Sequence, residues 1–199
     1  MKSGDVVRGG SRRWIFPLLA LALLAGVGIL LLNRTARPPA EVPPPTERSR
    51  NQLELREGRL FDGAESFSGL VLEHYDGGEL KSRSVVSHGL LEGLSEGWHT
   101  NGVLQITEHY SNGVSHGLRT KFHLSGAKLS EATVVAGQIE GRYERWHENG
   151  RLAEQVQLTN GVPHGESRAF HPDGSLKARV RLDHGTVVEQ QFWEPGEAR

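Results

Sequence analysis

At 199 residues, 36% of them apolar, the chain is long enough for one ordinary domain with appendages. It has no cysteine, which excludes a disulfide framework and any thiolate metal site, and 25 glycines beside 7% aromatics favour a turn-rich β protein over a helical bundle. The net charge of −1 divides unevenly: residues 1–50 hold 8 Lys and Arg against 3 acidic residues, while residues 51–199 hold 15 against 21, so a basic arm precedes a mildly acidic body that offers nucleic acid no electrostatic footprint.

The arm comes first in the chain. Residues 1–13 form a basic tail in which Lys2, Arg8, Arg12 and Arg13 are opposed only by Asp5. Residues 14–32 (WIFPLLALALLAGVGILLL) are an uncharged run of 19 residues, which at 1.5 Å per residue reaches roughly 28 Å and suits a bilayer core. They are predicted to be a transmembrane signal anchor. The basic tail keeps the N-terminus in the cytoplasm, so the body faces the periplasm or the exterior from an inner or plasma membrane. The apolar stretch exceeds the 7–15 residues of a cleavable signal, and Arg34 and Pro38 spoil the small-residue cleavage sites that Ala36 and Ala40 would otherwise complete. Ala22 and Gly26 have the spacing of a helix-pairing face, one route to a homo-oligomer. Residues 33–52 hold five of the nine prolines and almost no large apolar side chain; they are predicted to be an extended linker of up to roughly 60 Å.

Residues 53–68 (LELREGRLFDGAESFS) read as a degenerate half-repeat that caps the body. From there the chain repeats itself. Glycines stand at 69, 93, 117, 141 and 165, and each is followed nine residues later by another (78, 102, 126, 150, 174) and twenty later by a third (89, 113, 137, 161, 185). Counting each 24-residue copy from its leading glycine, offset +5 carries His74, Trp98, Phe122, Trp146 and Phe170. Offset +11 carries Leu80, Leu104, Lys128, Leu152 and Leu176, with Leu129 one place late, and offset +17 carries Val86, Tyr110, Val134, Leu158 and Leu182. Apolar residues alternate with polar ones, the period of strands, so residues 69–188 are predicted to be five strand–turn–strand–turn copies.

The first turn of each copy reads GG, NG, SG, NG or DG, dipeptides that supply positive φ. Pro172-Asp173-Gly174 suits a three-residue loop, with Pro in a type I turn and Gly in the left-handed position after it. That loop places offset +5 opposite offset +11, so aromatic and leucine share a face; a two-residue loop would separate them. The expected fold is all-β, an elongated antiparallel meander preceded by one transmembrane helix. Residues 186–193 would add a closing strand, and 189–199 a cap and tail; the sheet edges are a second route to self-association.

The phrase W/F-x-x-NG-x-L, a strand, then NG and x-x-x-G resembles the MORN-repeat variant of bacterial YwqK antitoxin-like proteins, and LELREGRLFDGAESFSG is similar to that family's opening segment. The resemblance covers about residues 53–193. It implies a hairpin-repeat fold and a binding or scaffold role, with neutralisation of a toxin as the alternative that some members imply.

Chemistry is sparse. Gly93-Leu94-Ser95-Glu96-Gly97 matches the nucleophile elbow G-x-S-x-G, which needs a strand turning sharply into a helix; here the segment obeys the repeat and runs on as strand, so no catalytic residue is assigned and no enzyme is expected. His99, His123, His147 and His171 occupy offset +6, where the first copy has Tyr75. Equivalent positions lie two strands apart, roughly 10 Å, too far for two to bind one ion at about 2 Å each; no metal or cofactor is expected, and the rings read as amphipathic packing. His88, His116, His164 and His184 adjoin turn glycines, and Glu92, His116, Glu140 and His164 alternate acid and imidazole at one offset, where neighbouring turns could pair. The candidate interaction face is the column Trp98, Phe122, Trp146 and Phe170, which either packs hairpin on hairpin or docks an unidentified protein partner.

Overall fold

The computed structural model describes residues 45–197. The predicted anchor at 14–32, the basic tail and most of the linker lie outside the described residues. Among the described residues no helix is long and apolar enough to cross a membrane.

Residues 45–197 are mostly strand joined by short turns. In chain order these are β1 (Glu47–Ser49), β2 (Glu54–Arg56), β3 (Arg59–Asp62), β4 (Glu65–Ser66), β5 (Gly69–His74), β6 (Leu80–Ser87), β7 (Leu90–Trp98) and β8 (Leu104–Ser111). The second half continues with β9 (Val114–Phe122), β10 (Lys128–Val135), β11 (Gln138–Trp146), β12 (Leu152–Thr159), β13 (Val162–Pro163), β14 (Gly165–Phe170), β15 (Leu176–Asp183) and β16 (Thr186–Phe192). From β5 to β16 the strands pair antiparallel in chain order, with β13 and β14 both on β12, a meander without crossovers.

The first turn of every copy has the predicted register. His74 pairs with Leu80, Trp98 with Leu104, Phe122 with Lys128, Trp146 with Leu152 and Phe170 with Leu176. In the fifth copy the His171 N–H donates to the Ser175 carbonyl at 2.9 Å, the Gly174 N–H donates to the His171 carbonyl at 2.8 Å, and Gly174 has φ +90°. This is a type I turn closed by a left-handed glycine, which a side chain would strain. The second turn of every copy has two central residues: Ser87 pairs with Leu90, Ser111 with Val114, Val135 with Gln138, Thr159 with Val162 and Asp183 with Thr186. Both central residues take positive φ, as a type I′ turn requires; the non-glycine ones are His88, Asn112, Ala136, Asn160 and His184, at 47° to 51°.

Two departures from the period-two pattern matter. One residue beyond each first turn the register shifts, so that Glu73 opposes Ser82 and Lys121 opposes Ser130. In the third copy this makes Leu129, the displaced leucine, the extra residue of the bulge. A second shift accompanies the leading glycine: Ser84 opposes Ser95 but Val86 opposes Leu91. Gly93 lies in the surplus segment at φ +82°, a conformation that bulges assign to glycine.

The opening segment differs from a simple half-repeat. Residues 54–66 form a separate three-stranded antiparallel sheet, β2-β3-β4, while β1 runs parallel to β5 along the edge of the ribbon. The described end of the linker is therefore structured. The largest apolar cluster sits here, with Leu53, Phe67, Val71 and Val86 buried and Leu60 and Leu91 against them. Elsewhere the buried apolar residues are scattered along one sheet face, among them Ala132, Val134, Leu158 and Ala178, as expected of a single layer whose contacts run between neighbours.

Candidate interaction face

Offset +5 is the last strand residue before the first turn, so Trp98, Phe122, Trp146 and Phe170 are carried to one edge of the ribbon. All four are half-buried. Successive rings are two strands apart, roughly 10 Å, so the column is a row of separate rings rather than a stack. One of them meets a charge: Lys128 Nζ lies 4.9 Å from the centre of the Trp146 ring, a cation–π contact, and reaches Glu131 at 2.8 Å. Trp146 and Phe170 line an open cleft of about 470 Å³ together with His123, His147, Arg145 and Lys177. Glu148 and Glu154 line it as well, so its charged groups are of both signs.

The histidines at offset +6 hold this row in place. Each imidazole Nε2 meets the backbone carbonyl of the aromatic residue in the next hairpin: His99 with Phe122 at 3.1 Å, His123 with Trp146 at 3.0 Å, His147 with Phe170 at 2.9 Å and His171 with Trp193 at 3.0 Å. In the first copy Tyr75 Oη donates to the Trp98 carbonyl at 2.8 Å. A carbonyl only accepts, so every Nε2 must carry its hydrogen, and that nitrogen offers no lone pair to a metal. The asparagines at offset +8 repeat the device, Asn101 reaching the Leu124 carbonyl at 3.1 Å and Asn149 the Pro172 carbonyl at 2.7 Å. Sequence reading found the histidine row but not its partner; the signal was there, because a tyrosine and four histidines share the power to donate from a ring tip.

The opposite ends of the hairpins are stitched as well. From the second copy on, the glycine N–H of each type I′ turn donates to a carbonyl just beyond the preceding type I′ turn, Gly113 to Leu91 at 2.8 Å and Gly161 to Ile139 at 3.0 Å. Beside it, the side chain preceding each leading glycine accepts the other turn N–H: Glu92 from Asn112 at 2.7 Å and Glu140 from Asn160 at 2.6 Å. The alternating acids and imidazoles thus serve backbone amides rather than one another.

Ser95 stands in the middle of β7, its hydroxyl 2.7 Å from that of Ser84, so the G-x-S-x-G segment is uninterrupted strand. One charged group is deeply placed. Glu108 accepts hydrogen bonds from Ser115 at 2.5 Å, Arg119 at 2.6 Å and Tyr110 at 2.9 Å. Burial pushes its carboxyl up, but these three donors and the guanidinium charge together outweigh burial and hold it below the usual range. Burial, followed by the bond to Glu108, pushes the Tyr110 phenol up.

Three segments match the family model described as MORN repeat variant: residues 91–112, 139–160 and 163–182. Their starts lie 48 and 24 residues apart, whole multiples of the repeat, and each contains the two strands around a first turn. No curated protein matches the chain. Among solved structures, the chain is similar to TarM from S. aureus, a mutant of it in complex with fondaparinux, alpha-GlcNAc-glycerol and UDP, at 14% identity and a TM-score of 0.33 over 48% of this chain and 19% of that one. A further TarM crystal structure gives 14% identity and a TM-score of 0.33 over 49% of this chain. The chain spans about a fifth of the length of these structures, and at that TM-score the likeness carries no argument. The three matched segments fall on registered hairpins of the meander, and over them the chain is similar to the MORN repeat variant.

Proposed function

We propose that the chain is a non-catalytic binding module that receives a protein segment along the row Trp98, Phe122, Trp146 and Phe170, and that residues 14–32 tether it to a membrane with the repeats on the periplasmic or extracellular side. The observation that carries the binding role is the half-open aromatic row, held in register by the histidine bonds. Half-exposed aromatic rings with charged neighbours, as at Trp146 and Phe170, have the make-up of an interface centre. The tether rests on the uncharged run and its basic flank, and the proline-rich stretch then stands the body off the bilayer as part of an envelope scaffold.

The test is a paired substitution, Trp98→Ala with Trp146→Ala, in the full chain expressed in its cells, followed by crosslinking from intact cells and mass spectrometry. Retained β circular dichroism with loss of the partner crosslinks is the expected result. An unchanged crosslink pattern, or collapse of the fold, reduces the row to packing. Protease shielding of the C-terminus in cells whose inner or plasma membrane is exposed to the protease and left intact would overturn the assigned orientation.

A further inference from the structure

The repeat brings three positions of every copy to one place: the residue before the leading glycine, and the two residues that open the type I′ turn eighteen and nineteen places after it. The contact between the first and the third recurs throughout, as Ser68 with the His88 N–H at 2.9 Å, His116 with the Ala136 N–H at 3.4 Å and His164 with the His184 N–H at 3.4 Å. The three side chains are Ser68, Ser87 and His88 in the first copy and Glu92, Ser111 and Asn112 in the second. The third has His116, Val135 and Ala136, and the fourth Glu140, Thr159 and Asn160. Only the fifth, His164, Asp183 and His184, fills all three positions with metal-ligating groups.

We propose that His164, Asp183 and His184 bind one borderline divalent cation of the zinc class. Their ligand atoms all lie within 4.8 Å of one another, with Asp183 Oδ1 at 2.7 Å from His184 Nδ1 and 3.5 Å from His164 Nδ1. Two imidazole nitrogens and one carboxylate oxygen are a donor set that zinc accepts, with a further position left to water. The backbone under them is fixed: His184 and Gly185 hold the positive φ of the turn, and the Gly185 N–H donates to the Pro163 carbonyl at 2.8 Å, which pins the turn to the segment that carries His164. The side chains are 47%, 63% and 84% exposed for His164, Asp183 and His184, and closing on an ion would require His164 Nδ1 to give up its long 3.4 Å contact from the His184 N–H. Without a cation, exposed pairs of this kind contribute about 0–1 kcal/mol, so the cluster is not there chiefly for stability. A bound ion would clip the last full repeat to its neighbour and stabilise it in proportion to occupancy.

The probe is Zn²⁺ by calorimetry and Co²⁺ by its visible absorption, on untagged full-length protein at neutral pH. One saturable equivalent is expected, with a tetrahedral cobalt spectrum, and its affinity falls on acidification because protons compete for the imidazoles. His164→Ala and His184→Ala should each weaken that equivalent more than about tenfold, and His116→Ala should leave it unchanged. The third copy supplies a gain-of-function arm: Val135→Asp with Ala136→His completes the trio beside His116 and should add a second equivalent. Absence of the first equivalent, equal affinity in His184→Ala, or a graft that adds none would each overturn the site.

Discussion

At offset +6 a ring must donate one hydrogen bond to a carbonyl in the next hairpin, and a phenol or an imidazole can do it. The bond does not depend on the imidazole's charge, because the cation keeps its Nε2 hydrogen. Removing the ring is different, since it leaves a half-buried carbonyl without its donor. His147→Ala should therefore lower stability by about 1–2 kcal/mol, read as a lower urea midpoint at constant slope, whereas His147→Tyr, which installs the first copy's solution, should stay within about 0.5 kcal/mol of the parent. Glu108 behaves otherwise, for its bonds need the charged form. Its folded-state pKa is depressed, so its contribution is fully present above the ordinary carboxylate value of 4.5 and is lost as pH falls through the lower folded value. Glu108→Gln should cost about 1–3 kcal/mol at pH 7, and chemical denaturation at a series of pH values should show the gap from the parent closing below pH 4.5.

At the level of the hairpin, the two turns of each copy make different demands, and the sequence shows them unequally. The first turn was legible down to its register, because Pro172-Asp173-Gly174 admits one loop and the pairing of aromatic with leucine admits one face. The second turn puts a non-glycine residue at positive φ in every copy, which asparagine at 112 and 160 announces but alanine at 136 hides. Left-handed backbone costs an ordinary residue about 1–2 kcal/mol, and asparagine less. Ala136→Asn should raise the melting temperature by up to about 2–4 °C, and Ala136→Val should lower it, both read by thermal circular dichroism. The opening segment was the least legible element. Residues 53–68 contain the alternation of strands, but nothing local says that β2, β3 and β4 pair among themselves while β1 takes the edge of the ribbon. That choice is made by burial of Leu53 and Phe67 against Val71 and Val86, a contact between segments that no periodicity records. The candidate site divides in the same way: the aromatic row could be read from the 24-residue period, while the bonds that fix it join residues 23 apart, across two copies, and appear only when the strands lie side by side.

Across residues 45–197, a single-layer meander stores its stability in contacts between adjacent strands, and the same bonds recur at the same offsets from copy to copy. Such a molecule is close to a sum of like units and their interfaces. Removing one whole unit should then shorten the ribbon without unravelling it, provided the cut preserves register. Deletion of residues 117–140 joins His116 to Gly141 and leaves every remaining turn, bulge and ring donor at its own offset. The imidazole at offset +6 of the second copy then meets the carbonyl of Trp146 in place of that of Phe122. The shortened chain should keep its β circular dichroism and unfold cooperatively, with a urea slope reduced roughly in proportion to the surface lost. Deletion of twelve residues, 117–128, provides the contrast. It removes one strand and one turn, reverses the direction of everything after it relative to what came before, and sets aromatic and leucine offsets out of phase. That variant should lose the sheet signal downstream of the cut. Equal tolerance of both deletions would mean that the strands fold as independent pieces and that the 24-residue unit has no physical standing.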